Sequence, residues 1–285
     1  MIGAQLHSLS DNLAGMAFFL MLAFIFSWIG HAKGYYSLPY AQFQGPLIAL
    51  QDVISSFLIF ILVYFLVFPV LISTLTPHTP IFILINHLAT FLLTALFLYL
   101  YSCLRDKSNM LRIWKDYSFP GSKPIYADIG IGVISWVLAM PVVTSITYIV
   151  EILVSLLLTP TYQEQIAVKF LKNSLQDPIT LFIACFSILI MAPFFEELLF
   201  RGFLLSYLRR KMHPLTAIVI SSLIFALFHY SPSQSTENIV LITTLFTFGC
   251  YLGFIYEKTR SLFSSIVLHV TFNSVSVIRI IFTDV

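Results

Sequence analysis

Long apolar stretches alternate with short polar breaks along the whole chain, and eight stretches approach the roughly 20 mostly apolar residues that a bilayer-crossing helix needs. They run over about 13–30, 53–75, 80–103, 129–158, 179–208, 215–230, 239–256 and 262–282. The pattern predicts an all-α fold, a polytopic membrane helix bundle of about eight transmembrane helices. The first stretch resembles a signal peptide in length, but no Lys or Arg leads into it and no small-x-small cleavage site follows. It is expected to stay as a helix.

The polar breaks carry the organisation. The longest, "RDKSNMLRIWKDYSFPGSKP" from Arg105 to Pro124, combines charge with Pro and Gly. It predicts a division into accessory transmembrane helices and their loop over 1–125 and a membrane core over 126–285. Tyr35, Tyr36 and Tyr40 have the character of interfacial anchors. His87 and Asn86, isolated in the third stretch, read as packing groups satisfied by neighbouring helices. In "TYQEQIAVKFLKNSLQDP", Ile166, Ala167, Phe170, Leu171 and Leu175 recur at helical spacing, with Gln163, Glu164, Lys169, Lys172 and Asn173 on the other side. That pattern predicts an amphipathic helix on the membrane surface. No repeat or low-complexity tract is visible.

Composition agrees with a membrane protein: 59% apolar and 10% charged residues, with a mean hydropathy of +0.93. A net charge of +2 gives no reason to expect a nucleic-acid partner; the lipid bilayer is the expected environment. Basic residues tend to remain on the cytoplasmic side. One set of breaks holds Lys33, Arg105, Lys107, Arg112, Lys115, Lys123, Arg209, Arg210, Lys211, Lys258 and Arg260, whereas the opposite set holds only Lys169 and Lys172. Both termini are therefore expected outside. Cys103, Cys185 and Cys250 form no C-x-x-C pair and read as packing residues.

One apolar stretch breaks the pattern. "APFFEELLFRGFL", Ala192 to Leu204, sets Glu196, Glu197 and Arg201 within six residues. Ionisable groups in a membrane helix cost about 2.5 to 3.5 kcal/mol each on insertion scales, so they face a protein interior and find partners. Glu197 and Arg201 stand at i and i+4 with the acid first, the favourable order for an ion pair. Glu196 is turned about 100° away on a regular helix and stays free. By itself the cluster suits either a site or a helix end near the headgroups. Two later stretches change that balance. In "FALFHY", Phe225 can pack on His229 one turn later, and in "HVTFNS", His269 and Asn273 share a helix face. Polar groups on three helices, set in apolar sequence where stranded ones are costly, point to one shared interior site.

Glu196-Glu197-Leu198-Leu199-Phe200-Arg201, Phe225 to His229 and His269 to Asn273 resemble, in order and spacing, the three motifs of the CPBP family, also called Abi, which includes the type II CAAX prenyl proteases. The resemblance covers about 126–285. It implies a multi-pass protein, of a bacterial inner membrane, that acts as an endopeptidase on a protein or peptide substrate in or at the membrane. Glu196 and His229 would activate water, His269 and Asn273 would stabilise an oxyanion, and Glu197, Arg201 and Phe225 would hold these groups in place. No cofactor is expected, zinc being the alternative.

Other readings stay open on the residues alone. Glu196, His229 and His269 form a possible zinc set with an open fourth position, although no spare acid is evident as a base and no H-E-x-x-H helix is present. A proton-coupled carrier would also carry such groups, but no inverted repeat or pair of broken helices accompanies them. A non-catalytic scaffold, of the kind that gives immunity to peptide toxins, is the remaining alternative.

Overall fold

The computed structural model describes residues 2–38, 45–67, 80–158 and 165–283, with the side chains described from residue 12. Tyr40, Gln163, Glu164 and the 68–75 part of the second apolar stretch lie outside the described residues, as does the side chain of Ile166. Among the described residues the fold is helical, with no strand. In chain order the helices are α1 (Ile2–Ala32), α2 (Leu50–Ile61, continuing as a π-helical segment Leu62–Val67), α3 (Pro80–Leu104), α4 (Lys107–Trp114) and α5 (Ile125–Leu157). Then follow α6 (Ile166–Ser174), the composite α7 (Pro178–Arg209), α8 (Pro214–Leu227), α9 (Glu237–Thr259) and α10 (Leu262–Thr283).

Each of the eight apolar stretches carries a helix. Among the described residues, six are long and apolar enough to cross a membrane: 12–32 in α1, 81–104 in α3, and α5, α7, α9 and α10. Apolar helix over Leu50–Tyr64 in α2 and over α8 is shorter. The stretch 215–230 falls short because its last residues leave the helix for a turn, held where Asn238 Nδ2 donates to the Ser231 carbonyl at 2.7 Å and the Ser231 amide donates to Asn238 Oδ1 at 3.1 Å.

Local chemistry sets the starts. Asp106 caps α4 by accepting from the Ser108 and Asn109 amides at 3.1 and 3.3 Å. Asp177 caps α7 by accepting from the Thr180 amide at 2.8 Å, with Pro178 at the first helical position, where its missing N–H costs nothing. The polar break after α3 is therefore structured: α4 lies within it, and its end is clasped to the core. Lys115 pairs with buried Asp128, Ser261 Oγ donates to the same carboxylate at 2.8 Å, and the Asp116 amide donates to the Arg260 carbonyl at 2.9 Å. Several basic residues that mark orientation are also structural. Arg209 and Arg260 share the buried carboxylate of Glu257 at 2.6 and 2.9 Å.

α5 runs through the bundle against α1, α9 and α10, while α2 and α3 pack beside α7. Gly132 permits a close approach of α5 to α10, since a Cβ there would stand 2.8 Å from the Ser264 carbonyl oxygen and from Val267 Cβ. Helix α6 forms as its spacing predicts and turns Leu171 onto buried Ala184 and Val277 while Phe170 is exposed. Tyr35 is more than an anchor: its hydroxyl donates to Ser135 Oγ at 2.8 Å and its ring packs on Phe254. The three cysteines are free thiols, and His87 Nδ1 meets the Ile83 carbonyl at 3.0 Å, as a satisfied packing group does.

Candidate active site

Three elements supply the polar groups: α7 carries Glu196, Glu197 and Arg201, the turn after α8 carries His229, and α10 carries His269 and Asn273. α7 is not a regular helix here. Ala192–Glu197 is α-helical, but π-helical segments Ser187–Met191 and Leu198–Leu205 flank it. Such widened turns recur at functional sites, because they shift side chains off the regular 3.6-residue spacing. Nothing in the apolar sequence signals them.

The two acids divide as their rotation predicts. Glu197 and Arg201 are both fully buried, and Arg201 Nη1 donates to Glu197 Oε1 at 3.1 Å. Arg201 Nη2 also donates to the Gly249 carbonyl at 3.2 Å, and its guanidinium lies 4.4 Å from the centre of the Phe225 ring. A cation over an aromatic face recovers part of what it loses on leaving water. Glu197 does more than hold Arg201. Its Oε1 accepts from His269 Nδ1 at 2.8 Å, and its Oε2 accepts from Ser265 Oγ.

Glu196 faces the other way. Its Oε2 lies 3.7 Å from His229 Nε2 and 3.8 Å from His269 Nε2, and the Glu196 and His229 side chains retain 17% and 29% exposure. Both imidazoles are fixed from behind. His229 Nδ1 meets the Phe225 carbonyl at 2.9 Å, and the Phe225 ring packs edge-on against His229 with centroids 4.9 Å apart. A carboxylate and a carbonyl can only accept, so both Nδ1 atoms carry a proton, and each ring turns its Nε2 edge toward Glu196. Phe248 packs edge-on to His269 at 5.4 Å.

Asn273 stands one turn beyond His269, where its Nδ2 donates to the Ile188 carbonyl at 2.9 Å, in the first π-helical segment. One of its two amide hydrogens is thus engaged and one remains for a ligand. Among the described residues no group of three or more His, Cys, Asp or Glu side chains is gathered closely enough to hold a metal ion. Sequence reasoning missed Ser265 and Gly249. Ser265 was within reach, since it precedes His269 by one helical turn. The Gly249 carbonyl belongs to a helix with no polar marker at that point.

Residues 178–275, which span every one of these groups, match the family described as type II CAAX prenyl endopeptidase Rce1-like. That segment is similar to the Rce1-like family. The CPBP resemblance of the three motifs is borne out, and the Rce1-like family is one of membrane peptidases. The Rce1-like segment begins with α7 and ends within α10, so α1 to α6 lie outside the match. Comparison with curated proteins and with solved structures finds no match.

Proposed function

We propose that the protein is an intramembrane endopeptidase in which Glu196, together with His229, activates the water that attacks a peptide carbonyl. The convergence of one carboxylate and two imidazole Nε2 atoms carries this reading. Separations of 3.7 and 3.8 Å are too long for direct hydrogen bonds and suit a single water lying among the three atoms. Glu196 accepts the water proton, the hydroxide oxygen bonds to the carbonyl carbon, and the carbonyl oxygen becomes an oxyanion. Collapse breaks the C–N bond, and the proton held by Glu196 passes to the departing amine.

The oxyanion needs donors. The free Nδ2 hydrogen of Asn273 is one, and His269 is another where it enters the reaction as an imidazolium, its Nε2 proton turned to the oxyanion and its Nδ1 proton held by Glu197. Each such donor contributes about 10² to 10³ in rate. The substrate is a protein or peptide in or at the membrane, in CAAX-type or membrane-protein processing.

Zinc is the second reading, favoured by one observation: both histidines are locked through Nδ1 with Nε2 pointing inward, as zinc-bound imidazoles are. Glu196, His229 and His269 would be its ligands. With Glu197 engaged by Arg201, His269 and Ser265, no second carboxylate is left as a base. The metal-free reading is the one carried forward. A non-catalytic scaffold is the remaining alternative. Protein in liposomes, incubated with apolar membrane peptides, decides between them: wild type cleaves and Glu196→Gln does not. Cleavage by neither favours the scaffold. Mapping terminal peptides in membranes of cells with native or Glu196→Gln protein then names the substrate.

A further inference from the structure

A cavity of about 480 Å³ lies among α5, α6, α9 and α10, and none of the groups of the candidate active site lines it. Four charged side chains do: Glu151 from α5, Lys172 from α6, Glu237 from the first turn of α9 and Arg279 from α10. An acid in the first turn of a helix is favoured by the helix itself. Glu151, well inside the apolar α5, has no such local reason, and an ionisable group in a membrane helix marks a place where a partner or ligand is met. The charges of Glu237 and Arg279 act on Glu151, yet among the described residues no hydrogen bond joins the three side chains. Two mutually repelling carboxylates and a guanidinium are thus held around a space rather than closed on one another. The polar lining also runs inward: Thr244 lies two helical turns, about 10 Å, deeper along α9 than Glu237, and Ser276 stands about one turn beyond Asn273 on α10.

We propose that this cavity binds a short peptide with free ends, its terminal ammonium taken between Glu151 and Glu237 and its terminal carboxylate held by Arg279. The inference stands on the charges of the cavity and not on the peptidase reading. A volume of about 480 Å³ falls among those of small-molecule sites, roughly 300 to 1,000 Å³. A lone cation would leave the guanidinium unmet, and a lone anion would leave the two acids facing each other across the space. Only a ligand with both charges answers both, and a guanidinium can take a carboxylate through two parallel hydrogen bonds. An ethanolamine-phospholipid headgroup shares the pattern of ammonium and anion. Its acyl tails, however, would lie against the inner wall at Thr244 and Ser276 and strip those hydroxyls of water.

The test places the protein in nanodiscs of phosphatidylcholine and phosphatidylglycerol, which carry no primary ammonium, and titrates it with radiolabelled trialanine. Wild type should bind saturably, and N-acetylation or C-terminal amidation of the peptide should each weaken binding about tenfold or more, since each removes one charged contact. Glu151→Gln and Arg279→Gln should weaken trialanine to a similar degree, and acetylation should cost little further in Glu151→Gln. Glu196→Gln should bind as wild type does. The blocked peptides read the same contacts in unaltered protein, so a variant that folds poorly does not decide the matter. Absence of saturable binding by wild type, or equal binding of free and blocked peptides, overturns the site. Binding lost in Glu196→Gln but kept in Glu151→Gln and Arg279→Gln moves the peptide to the candidate active site and overturns it equally. Phosphatidylethanolamine retained by wild type, with no trialanine binding, replaces the peptide by a lipid headgroup. Trialanine binding without cleavage of any membrane peptide sinks the peptidase reading alone, and cleavage without trialanine binding sinks this site alone.

Discussion

His269 donates from Nδ1 to Glu197 Oε1 at 2.8 Å while its Nε2 stands 3.8 Å from Glu196 Oε2, so two adjacent glutamates face opposite edges of one imidazole and Glu197 alone grips it. Glu197 is therefore tied both to the fold, through Arg201, and to the orientation of a candidate catalytic ring.

The two acids should separate in a paired measurement of melting temperature and cleavage. Glu196→Gln keeps shape and hydrogen-bonding capacity and should melt near wild type with cleavage abolished. Glu197→Gln leaves Arg201 as a buried cation without its anion, at a cost of about 3 to 5 kcal/mol. Adding Arg201→Met should recover part of that stability but not the cleavage, because His269 still lacks a carboxylate at Nδ1. A double variant as active as wild type would contradict the grip described here.

Ser265→Ala removes the hydroxyl that donates to Glu197 Oε2. An unsatisfied carboxylate oxygen in a buried site costs about 1 to 3 kcal/mol, so the melting temperature should drop by several degrees while Ser265→Thr retains most of it. If Ser265→Ala melts with wild type, the hydroxyl is not holding Glu197.

Chelation distinguishes the two chemical readings. Activity should persist after dialysis against a strong chelator, and metal analysis of active protein should find no stoichiometric zinc. Loss on stripping with recovery on zinc addition would replace the water-activation scheme by a zinc site at Glu196, His229 and His269.

Orientation is tested by inserting reporters at two exposed loop positions. Ser118 is a poor choice because its amide donates to Asp116 Oδ1 at 3.1 Å. Gly121 is better, with φ of +88° and open space where a side chain would stand. The Gly121 reporter should read as cytoplasmic and one at Ser233 as external; the reverse pattern would invert the topology.

Acid should loosen the α4 clasp. Burial raises an acid's pKa, but hydrogen bonds from Arg112 and Ser118 outweigh it and hold the Asp116 carboxyl below the ordinary carboxylate range. The stability this gives is complete above the unfolded value near 4 and is lost as pH falls through the lower folded value. Melting temperature followed downward from neutral pH should fall in that window, less steeply in Asp116→Asn; identical profiles would remove Asp116 from the account.

Helical periodicity and motif spacing carried much of this site. The i,i+4 steps from Glu197 to Arg201 and from Phe225 to His229 became real contacts, since on a helix one turn brings such side chains together whatever surrounds them. Asn273 is the instructive departure. Its spacing from His269 puts both on one face, yet its amide nitrogen is engaged by Ile188, a carbonyl on a different helix that a pattern read along the chain does not register.

By itself the sequence determined the membrane class, the helical fold and the residues with chemistry to offer, because hydropathy and helical spacing are properties of neighbours along the chain. Only the tertiary structure decided which edge of each ring faces Glu196, that Ser265 and the Gly249 carbonyl complete the Glu197–Arg201 pair, and that Glu151, Glu237 and Arg279 face one cavity. Those relations join residues dozens to more than a hundred positions apart. They are set by how close Gly132, Gly249 and the π-helical turns of α7 allow whole helices to approach, and that distance is a property of packed surfaces that no single segment contains.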